Sequence, residues 1–298
     1  MNIFMNNIGI VGAGIMGCGV AQCFSKYGYS VMLLDTSDEA LNLAKVEIKK
    51  NIRMQMFFDK TLHSENEILE KISFSREMSS LTKANFIIEN IPEIYIKKKQ
   101  LYNDIAPYFG NGTILLVNTS CLSITEMASL LSCPERVIGV HFMNPVYIKQ
   151  AVEVIIGFHT SQTTIAKTKR LISSIEKEAI IVKDLPGFVS NRISHLFINE
   201  AAFVVQDQVA SPRDVDNIFK KCYGHKMGPL ETADLIGLDT VVNSLEVLYN
   251  SYQDSKFRCC PLLKKMVAAG LLGQKSGKGF FKYESFSLKQ FGDMSRGI

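Results

Sequence analysis

The chain has 298 residues, 47% hydrophobic and 21% charged, so one large or two medium globular domains are expected. A net charge of +4 is too mild to indicate a nucleic-acid partner, and no apolar stretch reaches the roughly 20 residues of a membrane-spanning helix. The seven cysteines lack metal-ligand spacing and the amino terminus lacks the basic start of a signal peptide. We therefore expect reduced thiols, a cytoplasmic location, no metal site and no membrane partner.

The first motif is a glycine-rich stretch over residues 9–17, which predicts a strand, a tight turn and a helix over about 15–26. Its glycines have the G-x-G-x-x-G spacing of a turn that lets the backbone approach a pyrophosphate. The free N–H groups of the following helix would face the phosphates. The cofactor-binding residues predicted in this stretch are Gly12, Gly14, Ile15, Met16 and Gly17.

A second strand over 29–34 ends at Asp35, 18 positions after Gly17. A carboxylate at this place accepts hydrogen bonds from a ribose 2′-OH and repels a 2′-phosphate, so the site is predicted to prefer NAD over NADP. The alternative is that Asp35 only caps the next helix.

The next helix is predicted to begin after Ser37, an N-cap residue type, and a second amphipathic stretch covers about 64–71. The first of these helices carries a run of basic residues, Lys45, Lys49, Lys50 and Arg53. Such a run is commonly a solvated face, and the alternative is that it receives phosphates of a large anionic substrate.

Further strands are predicted over 72–74, 84–89, 113–117, 136–142, 151–156 and 179–182. Up to residue 145, their alternation with helices predicts a doubly wound parallel sheet, and a Rossmann-type α/β domain is predicted over residues 1–186. Past 187 the periodicity is helical only, which predicts an all-helical C-terminal domain over 187–298. Two apolar helix faces are predicted there, one with Ile193, Leu196, Phe197 and Glu200, the other with Leu235, Leu238, Val242 and Leu245.

Four polar residues at strand ends or helix starts are candidates for chemistry: Ser120, His141, Glu153 and Asn191. His141 lies 12 positions before Glu153, and a histidine paired with a carboxylate can act as a general base near neutral pH. Ser120 and Asn191 could hydrogen-bond a substrate oxygen that changes between hydroxyl and carbonyl. The alternatives are a core histidine at 141 and a purely local hydrogen bond at 191.

Taken in order, several segments together resemble the L-3-hydroxyacyl-CoA dehydrogenase family, including bacterial 3-hydroxybutyryl-CoA dehydrogenases, over nearly the whole chain. The segments are 12–17 with Asp35, 89–99, 118–120, 141–145, 185–192, 227–230 with 234–239, and 275–280. Their combination is far more specific than any one of them alone.

The resemblance implies an NAD-dependent oxidoreductase that interconverts 3-hydroxyacyl and 3-oxoacyl thioesters, with a short-chain acyl-CoA as the expected substrate. It also implies a homodimer formed by the helical domain, which would close over the site as well. It assigns His141 as the base, Glu153 as its partner, and Ser120 and Asn191 as substrate contacts. The cofactor contacts that it adds are Glu93, Lys98, Ser120 and Asn144.

The chain departs from the family at two places. Asn90 stands where relatives commonly have a small residue, and Pro92 is added. After Asn144-Pro145 the chain has polar residues at Tyr147, Lys149 and Gln150, which puts long-chain acyl specificity in doubt unless these side chains face solvent.

Three other functions stay open at this point. The same chemistry could act on an acyl chain carried by an acyl carrier protein. A crystallin-like, non-catalytic dinucleotide-binding protein is a second alternative, although the intact candidate residues argue against it. A dehydrogenase of hydroxy acids without a thioester is the third.

Overall fold

The computed structural model describes residues 7–58 and 64–283, with the backbone alone at 57–58. The chain divides into two compact units, Met1–Phe188 and Val189–Ile298. In the described part of the first unit, helices cover both faces of an eight-stranded sheet. The described part of the second unit is helical apart from isolated bridges near its end. The fold class is therefore the predicted one, an α/β Rossmann-type sheet followed by helices.

The eight strands are short and apolar, as expected for a sheet covered on both faces. Their bounds are β1 Asn7–Val11, β2 Ser30–Leu34, β3 Ile72–Ser75, β4 Phe86–Glu89, β5 Ile114–Asn118, β6 Val137–His141, β7 Ala151–Ile156 and β8 Glu178–Lys183. Their spatial order is β3-β2-β1-β4-β5-β6-β7-β8. The order reverses between β1 and β4, and open α/β sheets bind ligands beside such a reversal, at the carboxyl ends of the strands.

The strands up to residue 145 are parallel, as predicted, and one pair that includes the next strand is not. β6 and β7 are antiparallel, with His141 opposite Glu153, whereas every other neighbouring pair is parallel. The connection over 142–150 contains no helix, and a parallel crossover needs about a dozen residues or more. The strand therefore returns beside its neighbour in the opposite direction.

Six α-helices accompany the sheet in the described residues. They are α1 Ile15–Lys26, α2 Asp38–Phe58, α3 Glu65–Leu69, α4 Tyr95–Ile105, α5 Ile124–Ala128 and α6 Gln162–Ser174. Side chains alternate across each strand. Ile114 and Leu116 of β5 thus share a buried cluster with α1, α2 and α6, while Leu115 and Val117 share another with α4 and α5.

The helices of the second unit are α7 Ser190–Gln206, α8 Pro212–Cys222, α9 Pro229–Ile236, α10 Leu238–Tyr252 and α11 Pro261–Ala268. The predicted face with four leucine and valine positions is divided between two helices. Gly237, with φ +100°, separates α9 from α10, and Leu235 on α9 is 54% exposed. The other three positions, Leu238, Val242 and Leu245, are buried within this unit.

The predicted face with Ile193, Leu196, Phe197 and Glu200 lies on α7, but it is not the face that packs into the core. The helix buries Ile198 and Ala202 among its own unit, whereas Ile193 is 64% exposed. An apolar face therefore exists on α7 beyond the one that packs into the core.

Across the described residues, no helix combines the length and the apolar content that crossing a membrane requires. None of the seven cysteines, all of which lie in described segments, is in a disulfide. The cytoplasmic location stays a prediction.

Candidate active site

The glycine-rich turn lies between β1 and α1, beside the reversal of strand order. Gly12 has φ +101°, and a Cβ there would lie 2.9 Å from the backbone carbon of Asn90. A Cβ at Gly17 would lie 1.8 Å from the carbonyl oxygen of Gly12. Both positions therefore require glycine for packing of the turn against its neighbours.

Gly14 differs from the other two glycines of the turn. It is the N-cap of α1, and a Cβ at this position would meet no atom of the described chain within 4 Å. Packing against the described residues does not account for this glycine, and its predicted role in close approach to a pyrophosphate stays a prediction. The first N–H groups of α1 also lie here, so the turn fits a pyrophosphate.

Asp35 follows β2 directly and is fixed beside this turn. One carboxylate oxygen accepts the Ala13 N–H at 2.9 Å, and the other accepts the Ser37 N–H at 3.1 Å. The hydroxyl oxygen of Ser37, rather than Asp35, accepts the N–H of Ala40 in the first turn of α2. The Asp35 carboxylate is thus held at the edge of the turn, where a ribose is expected.

Three of the four candidate catalytic side chains come together at the carboxyl edge of the sheet. His141 Nδ1 lies 2.8 Å from Oε2 of Glu153, and His141 Nε2 lies 3.3 Å from Oγ of Ser120. His141 ends β6, and the antiparallel register places Glu153 opposite it. The His141 and Glu153 residues are only 8% and 6% exposed, and the ring of Phe188 lies 6.0 Å from the imidazole.

This arrangement suits proton transfer. Since a carboxylate only accepts, Nδ1 of His141 carries the hydrogen toward Glu153, which leaves Nε2 as the nitrogen that faces Ser120. The carboxylate also stabilises the imidazolium that forms when Nε2 takes a proton. The antiparallel pairing explains why the two residues meet although they are 12 positions apart.

Glu93 has a structural role that the sequence did not indicate. Its Oε1 accepts the Thr119 hydroxyl at 2.5 Å and the N–H groups of Ser120, Cys121 and Leu122 at 2.7–3.2 Å. The carboxylate therefore fixes the turn that carries Ser120. These partners lie 26–29 positions away, so no local pattern could reveal them. Its cofactor contact stays a prediction.

Lys98 is fully buried beneath the same edge. Its ammonium group lies 2.8 and 2.6 Å from the two carboxylate oxygens of Glu89, which is also fully buried, and 3.4 Å from the Asn118 carbonyl oxygen. Tyr102 donates its hydroxyl to Glu89 as well. Burial raises the pKa of the Glu89 carboxyl, and the Lys98 charge opposes this rise. Cofactor contact by Lys98 also stays a prediction.

Ile15 and Met16 begin helix α1, and the other candidate residues lie on the connection over 142–150 or in the second unit. Asn144 is exposed, and Lys149 and Gln150 are exposed too, which fits the alternative that these two side chains face solvent. Tyr147 is half-buried. Asn191 lies in the first turn of α7, half-buried, and its carbonyl oxygen is 2.9 Å from Nδ1 of His195.

The basic run on α2 is exposed throughout. Two of its members form ion pairs, Lys50 with Glu47 at 3.6 Å and Arg53 with Glu65 at 2.7 Å. This supports the solvated-face interpretation for those two residues.

Two family descriptions match consecutive parts of the chain. Residues 7–185 match the NAD binding domain of 3-hydroxyacyl-CoA dehydrogenase, and residues 187–283 match its C-terminal domain. The chain belongs to the 3-hydroxyacyl-CoA dehydrogenase family. It is therefore an NAD-dependent oxidoreductase, and its cofactor is NAD.

Individual relatives agree with this family. A Bacillus subtilis protein named "Probable 3-hydroxybutyryl-CoA dehydrogenase" is 41% identical over 281 residues, which cover 94% of this chain and 98% of that protein. The mitochondrial hydroxyacyl-coenzyme A dehydrogenase of Sus scrofa is 31% identical, with 95% and 92% covered. The crystal structure of (S)-3-hydroxybutyryl-CoA dehydrogenase from Ralstonia eutropha has a TM-score of 0.89 and 38% identity, with 94% and 100% covered.

Proposed function

We propose that this dehydrogenase interconverts 3-hydroxyacyl-CoA and 3-oxoacyl-CoA with short acyl chains, using His141 as general acid and base. The observation that carries the proposal is the contact of His141 with both Glu153 and Ser120. Relatives named 3-hydroxybutyryl-CoA dehydrogenase support the short chain.

In the oxidation, Nε2 of His141 takes the proton of the substrate hydroxyl while Glu153 holds the ring and stabilises its positive charge. NAD, when bound, accepts the hydride that leaves the carbon bearing this hydroxyl. The Ser120 hydroxyl hydrogen-bonds the substrate oxygen, and Asn191 is proposed as a second partner of that oxygen. In the reduction, His141 returns the proton as a general acid.

The assay that tests the proposal measures NADH oxidation with acetoacetyl-CoA and with the same acyl group on an acyl carrier protein. We expect a kcat/KM at least about tenfold higher for the CoA thioester. A higher kcat/KM for the carrier-bound acyl group would show that the substrate is an acyl chain on an acyl carrier protein, as in a biosynthetic pathway. No oxidation of NADH with either thioester would favour a non-catalytic, crystallin-like protein or a substrate without a thioester.

Asp35 is expected to make the enzyme prefer NADH over NADPH by about 10²-fold or more in kcat/KM, since a 2′-phosphate beside a carboxylate costs several kcal/mol. Asp35→Ser should reduce the difference in kcat/KM between NADH and NADPH. Asp38→Ser, a change at an exposed carboxylate in the first turn of α2, is the matched control and should leave it unchanged. Comparable kcat/KM values for the two cofactors in the unmodified enzyme would refute the assignment.

We also propose a homodimer through the second unit. An apolar groove of about 560 Å³ on this unit is lined by Val189, by residues of α7 and α8 and by His225, and one of the lining residues, Ile193, is 64% exposed. Sedimentation at micromolar concentration should give twice the 33.3 kDa mass of the chain.

A variant pair sharpens the sedimentation experiment. Ile193→Asp is expected to release monomers, because a charge would be buried in the interface. Leu43→Asp, on a 63% exposed side chain of α2, is its control and should stay dimeric. An unmodified chain that sediments only as a monomer would rule the dimer out.

A further inference from the structure

The carboxyl ends of three neighbouring strands are joined by two side-chain amides. The Asn118 amide donates to Oδ1 of Asn90 at 2.7 Å, and its oxygen accepts the Phe142 N–H at 3.1 Å. Asn90 follows β4, Asn118 ends β5 and Phe142 follows β6. The strand pairing of β4 with β5 ends one residue before the two asparagines, at Glu89 and Val117. The amides therefore continue the connection past the end of the backbone ladder.

The side-chain amides of Asn90 and Asn118 are each held in one orientation. An asparagine side chain has an accepting oxygen and a donating NH₂, so turning it by 180° exchanges the two. The NH₂ of Asn90 donates to the Ile88 carbonyl oxygen at 3.1 Å, which leaves the Asn90 oxygen for Asn118. Asn118 must then offer its own oxygen to Phe142. Without Asn90, a turned Asn118 amide would place NH₂ against the Phe142 N–H.

The Phe142 N–H is the peptide group directly after His141. Its hydrogen bond to Asn118 fixes the backbone where the histidine leaves β6, between Ser120 on one side and Glu153 on the other. A small rotation of this peptide would turn the imidazole away from both partners. Misplacement by about 1 Å can lower a rate by 10²-fold, so even a mild loss of order should appear in kcat.

Asn90 also lies against the glycine-rich turn. Its backbone N–H donates to the Val11 carbonyl oxygen at 2.7 Å, and its carbonyl would meet any Cβ at Gly12. Asn90 therefore contacts the glycine-rich turn directly. Its side chain is also connected, by way of Asn118, to the strand that carries His141.

We propose that Asn90 is a positioning residue for the reaction, which sets the Asn118 amide so that the peptide after His141 is held in place. This inference rests on the proposed role of His141 as the acid and base. It predicts an effect on the chemical step and little effect on cofactor binding.

The test is a double-mutant cycle of Asn90→Ala and Asn118→Ala, with kcat, KM and the Kd for NADH measured on folded protein. We expect Asn90→Ala to lower kcat about fivefold, the effect of one neutral hydrogen bond, with the NADH Kd changed less than about twofold. In the Asn118→Ala background, Asn90→Ala should change kcat less than about twofold, because the two residues act in series.

Two further variants complete the design. Asn103→Ala, at an exposed position of α4, is the matched control and should leave kcat unchanged. Asn118→Asp keeps the oxygen that accepts from Phe142 but lacks the NH₂ that reaches Asn90. It replaces Asn118→Ala in the cycle if the alanine variant does not fold.

Three results would overturn the inference: an unchanged kcat in Asn90→Ala, additive losses in the cycle, or a loss that appears mainly in the NADH Kd. His141→Asn, measured in the same assay, distinguishes failure of the positioning role of Asn90 from failure of the acid–base role of His141. If that variant loses activity and Asn90→Ala does not, only the positioning role fails. If His141→Asn keeps its kcat, the proposed mechanism fails.

Discussion

Replacement of His141 by asparagine is expected to lower kcat by about 10²- to 10⁴-fold, the usual contribution of a general acid or base, with little change in NADH affinity. Asparagine can still donate a hydrogen bond toward Glu153, so the strand pair should keep its geometry. It cannot take the proton that Nε2 would accept. The measurement is steady-state kinetics together with NADH titration of the folded variant.

Partner variants test whether the three side chains act as a unit. Glu153→Gln should lose activity in the same range, and the double variant with His141→Asn should be no worse than His141→Asn alone, because the carboxylate acts through the ring. Ser120→Ala and Asn191→Ala should lose less, about 1–3 kcal/mol of transition-state stabilisation each. If His141→Asn kept near wild-type kcat from about pH 6 to 9, with chemistry shown to be slow by a deuteride isotope effect, His141 would be a core histidine instead.

The His141–Glu153 pair shows both the reach and the limit of prediction from sequence. The residue types and their spacing indicated that the two side chains pair, and they lie 2.8 Å apart, while the catalytic role of the pair stays a prediction. The reason they meet was not predicted, because no direction was assigned to the strand at 151–156 and the contact depends on the antiparallel pairing of β6 and β7. The signal was present, since the connection over 142–150 is too short for a crossover.

Other features of the fold could not be predicted from sequence because they depend on contacts between distant segments or on backbone conformation. The glycine-rich motif predicted helix α1 with its observed bounds, because the turn and the helix that follows it are set by residues close together in the sequence. The hydrogen bonds of Glu93 to the turn at 119–122 and of Asn90 to Asn118 join segments more than 25 positions apart. The break at Gly237 was missed for another reason: the apolar pattern continues across it, and only the positive φ shows that the chain turns.

Lys98→Met is expected to destabilise the first unit by about 3–5 kcal/mol, the usual loss when one partner of a buried ion pair is removed. Among the described residues, the variant leaves the Glu89 carboxylate with the Tyr102 hydroxyl and the Ile91 N–H, which donates at 2.8 Å, and without a positive charge. Since burial already raises the pKa of Glu89, it should rise further and the carboxyl should bind a proton in the folded state.

The pH dependence of this loss follows from that sign. A carboxyl whose folded pKa lies above its unfolded pKa binds more protons when folded, so stability falls as pH rises from the unfolded value through the folded one. In chemical denaturation, the free energy of unfolding of the variant should therefore approach that of the wild type in acid. Toward neutral pH it should fall below the wild-type value. Glu89→Gln combined with Lys98→Met should recover most of the loss, because no charge remains buried. A Lys98→Met protein of unchanged stability but weaker NADH binding would show instead that the ammonium group serves the cofactor.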